Sequence, residues 1–240
     1  MTLSLGESPH RAGLLGRSLG RAIYWRHRVL SRYRLESVVI ERVAGLPLIV
    51  LPGVLHPSLM RTGEFFASAL RDEPLIGGAE VLDLGTGSGI CALVAAERAR
   101  RVTASDASAT AVRCARINAL LNRVDHRIDV LQGDLFGPVA DRRFDLILFN
   151  PPFLRGEPRS EADLAWRSLD VPERFADGLR QHLLPAGVAL LLLSSFGAPG
   201  EFLKPLADRG FAAAPHARRR YVNEELILYR VRARSPGGTR

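Results

Sequence analysis

The chain is 240 residues long, 47% apolar and 24% charged, which suits one generous globular domain with a modest appendage. No apolar run approaches the ~18 residues of a membrane span; the longest, Val188–Leu193, is short enough to be a buried strand. Cys91 and Cys114 lack metal-ligand spacing and read as small core residues of a reduced, cytoplasmic protein without a metal site.

The net charge of +8 is unevenly spread: residues 1–43 and 216–240 each carry +5, and the stretch between them carries −2. Basic chain ends of this kind are expected to attract a polyanion such as RNA or a ribosome.

In chain order, Arg11–Arg34 is compatible with a helix, with Leu15, Leu19, Ile23, Leu30 and Tyr33 near one face and arginines elsewhere. It is expected to dock on the body with its basic face outward. A hairpin follows, Glu36–Val43 and Leu46–Leu51 about a turn at Ala44-Gly45. From Ala79 onward strand and helix patterns alternate. The strand-like runs are Glu80–Leu84, Arg101–Ser105, Arg127–Gln132, Phe144–Phe149, Val188–Ser194 and Leu226–Arg232. The helical runs are Ile90–Arg98, Ser108–Leu121, Val171–Leu183 and Gly200–Arg209. Alternation of this kind predicts an α/β, Rossmann-like, mostly parallel sheet with helices on both faces, preceded by a short helix and a β-hairpin. The expected organisation is a basic arm and hairpin over 1–52, one catalytic domain over 53–233 and a disordered tail over 234–240.

Three strand ends carry the expected cofactor site. Val81-Leu82-Asp83-Leu84-Gly85-Thr86-Gly87-Ser88-Gly89 is a strand, a glycine-rich turn and a helix start, in which the backbone of Gly85, Thr86, Gly87 and Gly89 can pass close under a ligand. The spacing G-x-G-x-G differs from the dinucleotide fingerprint, and Asp83 would repel a phosphate. It suits instead a ligand with a cationic amino group and a sulfonium, as in S-adenosylmethionine. Asp106, followed by Ala107, ends the next strand and can accept both hydroxyls of a ribose. Asp134, followed by Leu135, ends the third and can accept from an adenine amino group while its apolar neighbours pack on the ring. Each acid alone is equally a helix cap or turn residue; three in order at successive strand ends favour the cofactor.

The fourth strand ends in Asn150-Pro151-Pro152-Phe153. Two prolines stiffen this loop and remove its N–H groups, leaving oxygens as the polar groups on offer. The Asn150 side-chain oxygen and the Pro151 carbonyl can accept the two hydrogens of a planar NH2 group, and Phe153 can stack on it. Methyl transfer to that nitrogen then depends on alignment more than on a strong base. Asp83 and Asp106 are not expected to act as bases.

With these motifs the chain resembles class I S-adenosylmethionine-dependent methyltransferases carrying an N-P-P-[YF] loop, and most of all the HemK-type release-factor glutamine methyltransferase family, over roughly residues 36–232. Pro52–Pro57 is similar to the hairpin end preceding that family's catalytic domain. The resemblance implies a seven-stranded sheet with a reversed final strand. It also implies that Asp83, Gly85, Gly87, Asp106 and Asp134 line the cofactor and that Asn150 to Phe153 hold the acceptor. It further implies a macromolecular acceptor, most directly a glutamine of a release factor or ribosomal protein. The chain departs from the pattern in three places. Residues 1–35 are too short for the bacterial enzymes' helical recognition domain. Thr62 stands five residues after Pro57 where the family has four, and Phe153 stands where tyrosine is usual. An amino group on an RNA base and a small metabolite enclosed by a lid over Arg155–Trp166 are the alternative acceptors. A dehydrogenase, or a binding module without turnover, is a further rival.

Overall fold

The computed structural model describes residues 36–157 and 167–234. The helical arm Arg11–Arg34, most of the lid segment Arg155–Trp166 and residues 235–240 lie outside the described residues. Arg234, the last described residue, donates its N–H to the Gly210 carbonyl at 2.8 Å.

A two-stranded hairpin, β1 (Val39–Val43) and β2 (Leu46–Val50), opens the described part. It is followed by a single turn, α1 (Pro57–Met60), and by α2 (Thr62–Arg71). The alternating units are β3 (Glu80–Leu84), α3 (Ile90–Ala96), β4 (Arg101–Asp106), α4 (Ala109–Leu121), β5 (Ile128–Gln132) and β6 (Phe144–Phe149). After the two-residue strands β7 (Leu154–Arg155) and β8 (Arg167–Ser168) come α5 (Val171–His182), β9 (Leu183–Ser194), α6 (Pro199–Asp208), β10 (Phe211–Arg220) and β11 (Glu225–Ala233).

Seven strands form one sheet in the order β10-β11-β9-β6-β3-β4-β5. β3, β4, β5, β6 and β9 are mutually parallel, and β11 runs antiparallel to both its neighbours. The reversed final strand is therefore present. The central strands β6 and β9 are near-continuous apolar runs because both their faces are covered, as parallel sheets require. On one face, α2, α3 and α4 contribute Phe66, Leu93 and Val112 to a core with Val81, Val102, Leu148 and Leu190. On the other, Phe175 and Leu179 of α5 and Phe202 and Leu206 of α6 pack on Leu82, Ile147, Leu191 and Val231.

The hairpin shares the first core through Val43 and Leu48. Buried Asn118 of α4 fastens it: the side-chain oxygen accepts from Ile49 N at 2.8 Å, and the amide nitrogen donates to the Ile49 and Ser88 carbonyls at 2.8 and 2.9 Å. One side chain thus satisfies β2 as a neighbouring strand would and links it to the glycine-rich turn.

Two elements escape the sequence pattern. α2 buries Phe65, Phe66, Ala67 and Leu70, an amphipathic face that periodicity alone could have marked. β10, by contrast, reads Phe-Ala-Ala-Ala-Pro-His-Ala-Arg-Arg-Arg, with poor strand formers and a proline. It is an edge strand held by pairing with β11, and its register shifts between Pro215 and Ala217, where proline is tolerated.

Candidate active site

β3 ends at the glycine-rich turn because Gly85, Gly87 and Gly89 all take positive φ, at +62°, +56° and +86°. The last two positions differ in what surrounds them. A Cβ on Gly89 would stand 3.2 Å from both Cα and Cβ of Ala115, so α4 can close on the turn only over a glycine. A Cβ on Gly87 would meet no atom within 4 Å, so this backbone faces open space. Gly89→Ala is accordingly expected to lower stability by about 1–3 kcal/mol, through strain and a packing clash together. Gly87→Ala should cost about 1–2 kcal/mol from its φ alone. Thermal unfolding of the two variants checks the order, which reverses if Gly87 is the position that is closed over.

Asp83 is buried within β3. Its Oδ2 accepts from Thr86 Oγ1 at 2.6 Å and from Ala92 N at 3.1 Å. The N-cap of α3 is Gly89, which has no side chain to offer, and Ala92 holds the third helical position. Asp83 therefore supplies from the strand the cap that the turn lacks. The structure turns this carboxylate inward, against the turn and helix.

Burial pushes the Asp83 carboxyl up to about 7 against those two hydrogen bonds, and the charge of Asp106 adds to the rise. The folded chain thus keeps a proton that the unfolded chain releases near pH 4. The stability this represents is complete below about pH 4 and is lost as pH rises through about 7. Asp83→Asn retains an acceptor for Thr86 and Ala92 but cannot titrate. Between about pH 5 and 8 its melting temperature should fall less steeply than that of the parent. Parallel curves would assign the titration to another group.

Asp106, half-buried at the end of β4, accepts from Gly87 N through Oδ2 and from Ser108 N through Oδ1, both at 2.9 Å. Ser108 caps α4 in turn, its hydroxyl accepting from Ala111 N at 3.3 Å. Ala107 between them is exposed. Thr86, buried, donates its N–H to the Ser105 carbonyl at 3.0 Å, so the first two strand ends are stitched together. The third strand end joins them where Gly133 N donates to the Asp106 carbonyl at 2.9 Å.

The three side chains after β5 meet three different environments. Asp134 is exposed and ion-paired with Arg174 at 2.5 Å. Phe136 is buried against α5, its ring stacked on His182 at 4.7 Å, so it does not offer a face to a ligand. Leu135, half-buried with a φ of +46°, is the apolar neighbour left at the turn.

Asn150 follows β6, whose partners β3 and β9 bring it beside the other strand ends. Its Nδ2 donates to Thr62 Oγ1 at 3.4 Å. Its Oδ1 is buried without a hydrogen-bond partner among the described residues. An amide oxygen in that state costs about 1–3 kcal/mol, recovered when an N–H arrives.

Thr62 opens α2. Arg61 before it takes a left-handed conformation at φ +59°, ending α1 and starting α2. The Arg61 guanidinium lies 4.7 Å from the Tyr221 ring centroid. Beyond Asn150, Pro152 and Phe153 line a shallow pocket with Leu169, Ser194 and Phe202. Gly197 belongs to its wall, because a Cβ there would come within 2.9 Å of the Phe153 carbonyl oxygen. Ser194 donates to Glu224 at 2.5 Å, and burial pushes that carboxyl up. Gly197 and Glu224 carried no motif of their own in the sequence.

With this geometry in view, the relationships are informative. Residues 47–193 match the model of the methyltransferase small domain family. A protein of Methanocaldococcus jannaschii named as a protein N5-glutamine methyltransferase is 31% identical over 186 residues, 72% of this chain and 91% of its own length. The ribosomal protein uL3 glutamine methyltransferase of Bradyrhizobium diazoefficiens is 36% identical over 185 residues, 67% of this chain and 58% of that protein. Among solved structures, a Thermus thermophilus 16S rRNA methyltransferase in complex with AdoMet and guanosine superposes with a TM-score of 0.60. It is 21% identical, and the match covers 82% of this chain and 50% of that one. The chain belongs to the methyltransferase small domain family, and it is an S-adenosylmethionine-dependent methyltransferase.

Proposed function

We infer that the chain methylates the side-chain amide nitrogen of a glutamine in a protein of the translation apparatus, of release-factor or ribosomal-protein type. The observation that carries this is the buried, unpaired Asn150 Oδ1 at the head of a Pro-Pro loop. The names of the two relatives support the amide as the target. An acceptor of this kind makes the cytoplasm the expected compartment.

The residues present fit S-adenosylmethionine. Gly87 faces open space at a strand end, and Asn150 holds an acceptor in reserve beside it in the sheet. In this reading Gly85, Thr86, Gly87, Gly89, Asp106 and Ala107 hold the methionyl and ribose parts, with Leu135 and Asp134 at the adenine. Asp83 acts on the group through the turn that it caps. When bound, S-adenosylmethionine supplies an electrophilic methyl on a sulfonium.

Asn150 Oδ1 and the Pro151 carbonyl accept the two amide hydrogens, and Phe153 lies along the plane of the amide. Pro151 and Pro152 keep the loop from following the acceptor as it moves. Thr62 Oγ1 accepts from Asn150 Nδ2, which leaves Oδ1 as the amide atom free for the acceptor hydrogens. No base is required of Asp83, whose Oδ2 accepts from Thr86 and Ala92, or of Asp106, both of whose oxygens accept backbone N–H groups.

Radiolabelled methyl transfer into a cell extract, followed by separate protease and nuclease digestion, tests the acceptor class. Label freed by protease and recovered as methylamine after acid hydrolysis supports an amide nitrogen. Label freed by nuclease alone overturns the reading in favour of an RNA base.

A further inference from the structure

At the opposite end of the sheet from Asn150 lies a cleft of about 350 Å³ lined by Arg143, Arg180, Arg209 and Arg234, with the buried side chains of Leu179, Leu183 and Phe211 as its apolar floor. These arginines come from four separate places: the loop before β6, the end of α5, the end of α6 and the end of β11. Arg209 is taken up by Asp177 on α5. Among the described residues, no acid lies within ion-pair distance of Arg143, Arg180 or Arg234. Arg180 stands in the last turn of α5, where the helix dipole accounts for a cation. Arg143 and Arg234 stand outside helices, so no dipole explains them.

Like charges gathered around a concavity without counter-charges repel one another, and the arrangement is relieved by a bound polyanion. Guanidinium groups match phosphate oxygens in a fixed fork, and an apolar floor lets a sugar or base lie between them. The geometry points to a docking cleft for the phosphate backbone of single-stranded RNA. It lies one strand length from the transfer site: β6 separates Arg143 from Asn150, about 23 Å at about 3.3 Å per residue. An RNA held there anchors a large acceptor without entering the transfer site. The proposal does not depend on which nitrogen is methylated, since RNA binding is measured without turnover.

The test is the binding of a fluorescent single-stranded RNA to the whole chain at several salt concentrations. R143E/R234E is compared with R113E/R123E, a pair of exposed arginines elsewhere that changes the net charge equally. R143E/R234E should weaken binding by about tenfold or more and reduce the salt slope by about 1.4, the share of two phosphate contacts on a single strand. R113E/R123E should stay within about twofold of the parent. Equal losses in both pairs, or no loss in the first, overturn the proposal. Competition by polyglutamate or inorganic pyrophosphate as effective as by unlabelled RNA also overturns it, by assigning the cleft to acidic protein or to free phosphate. Should R143E/R234E fail to fold, R143Q/R234Q is measured by the same criteria.

Discussion

Asn150→Ala is expected to reduce methyl transfer by about two to three orders of magnitude, the range found when one preorganised polar group is removed from a transfer site. The side chain contributes an unpaired buried oxygen and one long hydrogen bond to Thr62. Its removal therefore takes away an acceptor meant for the substrate and very little that holds the fold. The melting temperature should change little, because relief of the unpaired oxygen offsets the loss of the Thr62 contact. Affinity for S-adenosylhomocysteine, read by calorimetry, should stay within a few-fold. The fall should appear in kcat as well as kcat/KM, since the acceptor hydrogens are held while the nitrogen is attacked. A variant that loses cofactor affinity in proportion to activity would make Asn150 a structural residue of the strand end.

Asp106→Ala should do the reverse, raising the Kd for the cofactor with a smaller effect on the acceptor. Two backbone N–H groups, those of Gly87 and Ser108, lose their acceptor together. The expected loss is about 1.5–3 kcal/mol for hydrogen bonds to a charged group, or roughly tenfold to a hundredfold in Kd. Part of it arises in the free protein, because Gly87 is no longer tied to β4 in its left-handed conformation. Asp106→Asn, which can still accept one N–H, should fall between the parent and the alanine variant. Calorimetric titration with S-adenosylhomocysteine orders the three. An unchanged Kd in Asp106→Ala would remove this residue from the cofactor site.

These expectations draw on two kinds of information. The glycine-rich turn, the N-P-P-F loop and the alternation of strands and helices were legible in the sequence, because each is set by neighbours a few residues apart. Gly85, Gly87 and Gly89 announce positive φ, consecutive prolines announce a stiff loop, and buried parallel strands announce themselves as apolar runs. Even there, the sequence does not tell Gly87 from Gly89. Only the approach of Ala115 on α4 shows that one closes a packing contact and the other leaves space.

Side-chain partners distant along the chain belong to the tertiary structure alone. Asp83 reads as a ligand-facing acid, yet the fold turns it into the missing cap of α3, where burial raises its carboxyl to about 7. Asp134 reads as the third such acid, and α5 brings Arg174 to it. Thr62 stands 88 residues from Asn150 in the chain, and the fold brings the two side chains within hydrogen-bond distance. β10 has no strand signature, since an edge strand takes its conformation from the strand it pairs with. The basic excess of the chain ends was countable from composition, whereas the gathering of Arg143, Arg180 and Arg234 around one cleft was not. Local sequence dictates conformation over a few bonds, and that established the class of enzyme. Which charges and hydrogen-bonding groups meet, and what they are left to bind, depends on contacts between residues far apart in the chain, which only the folded sheet and its helices create.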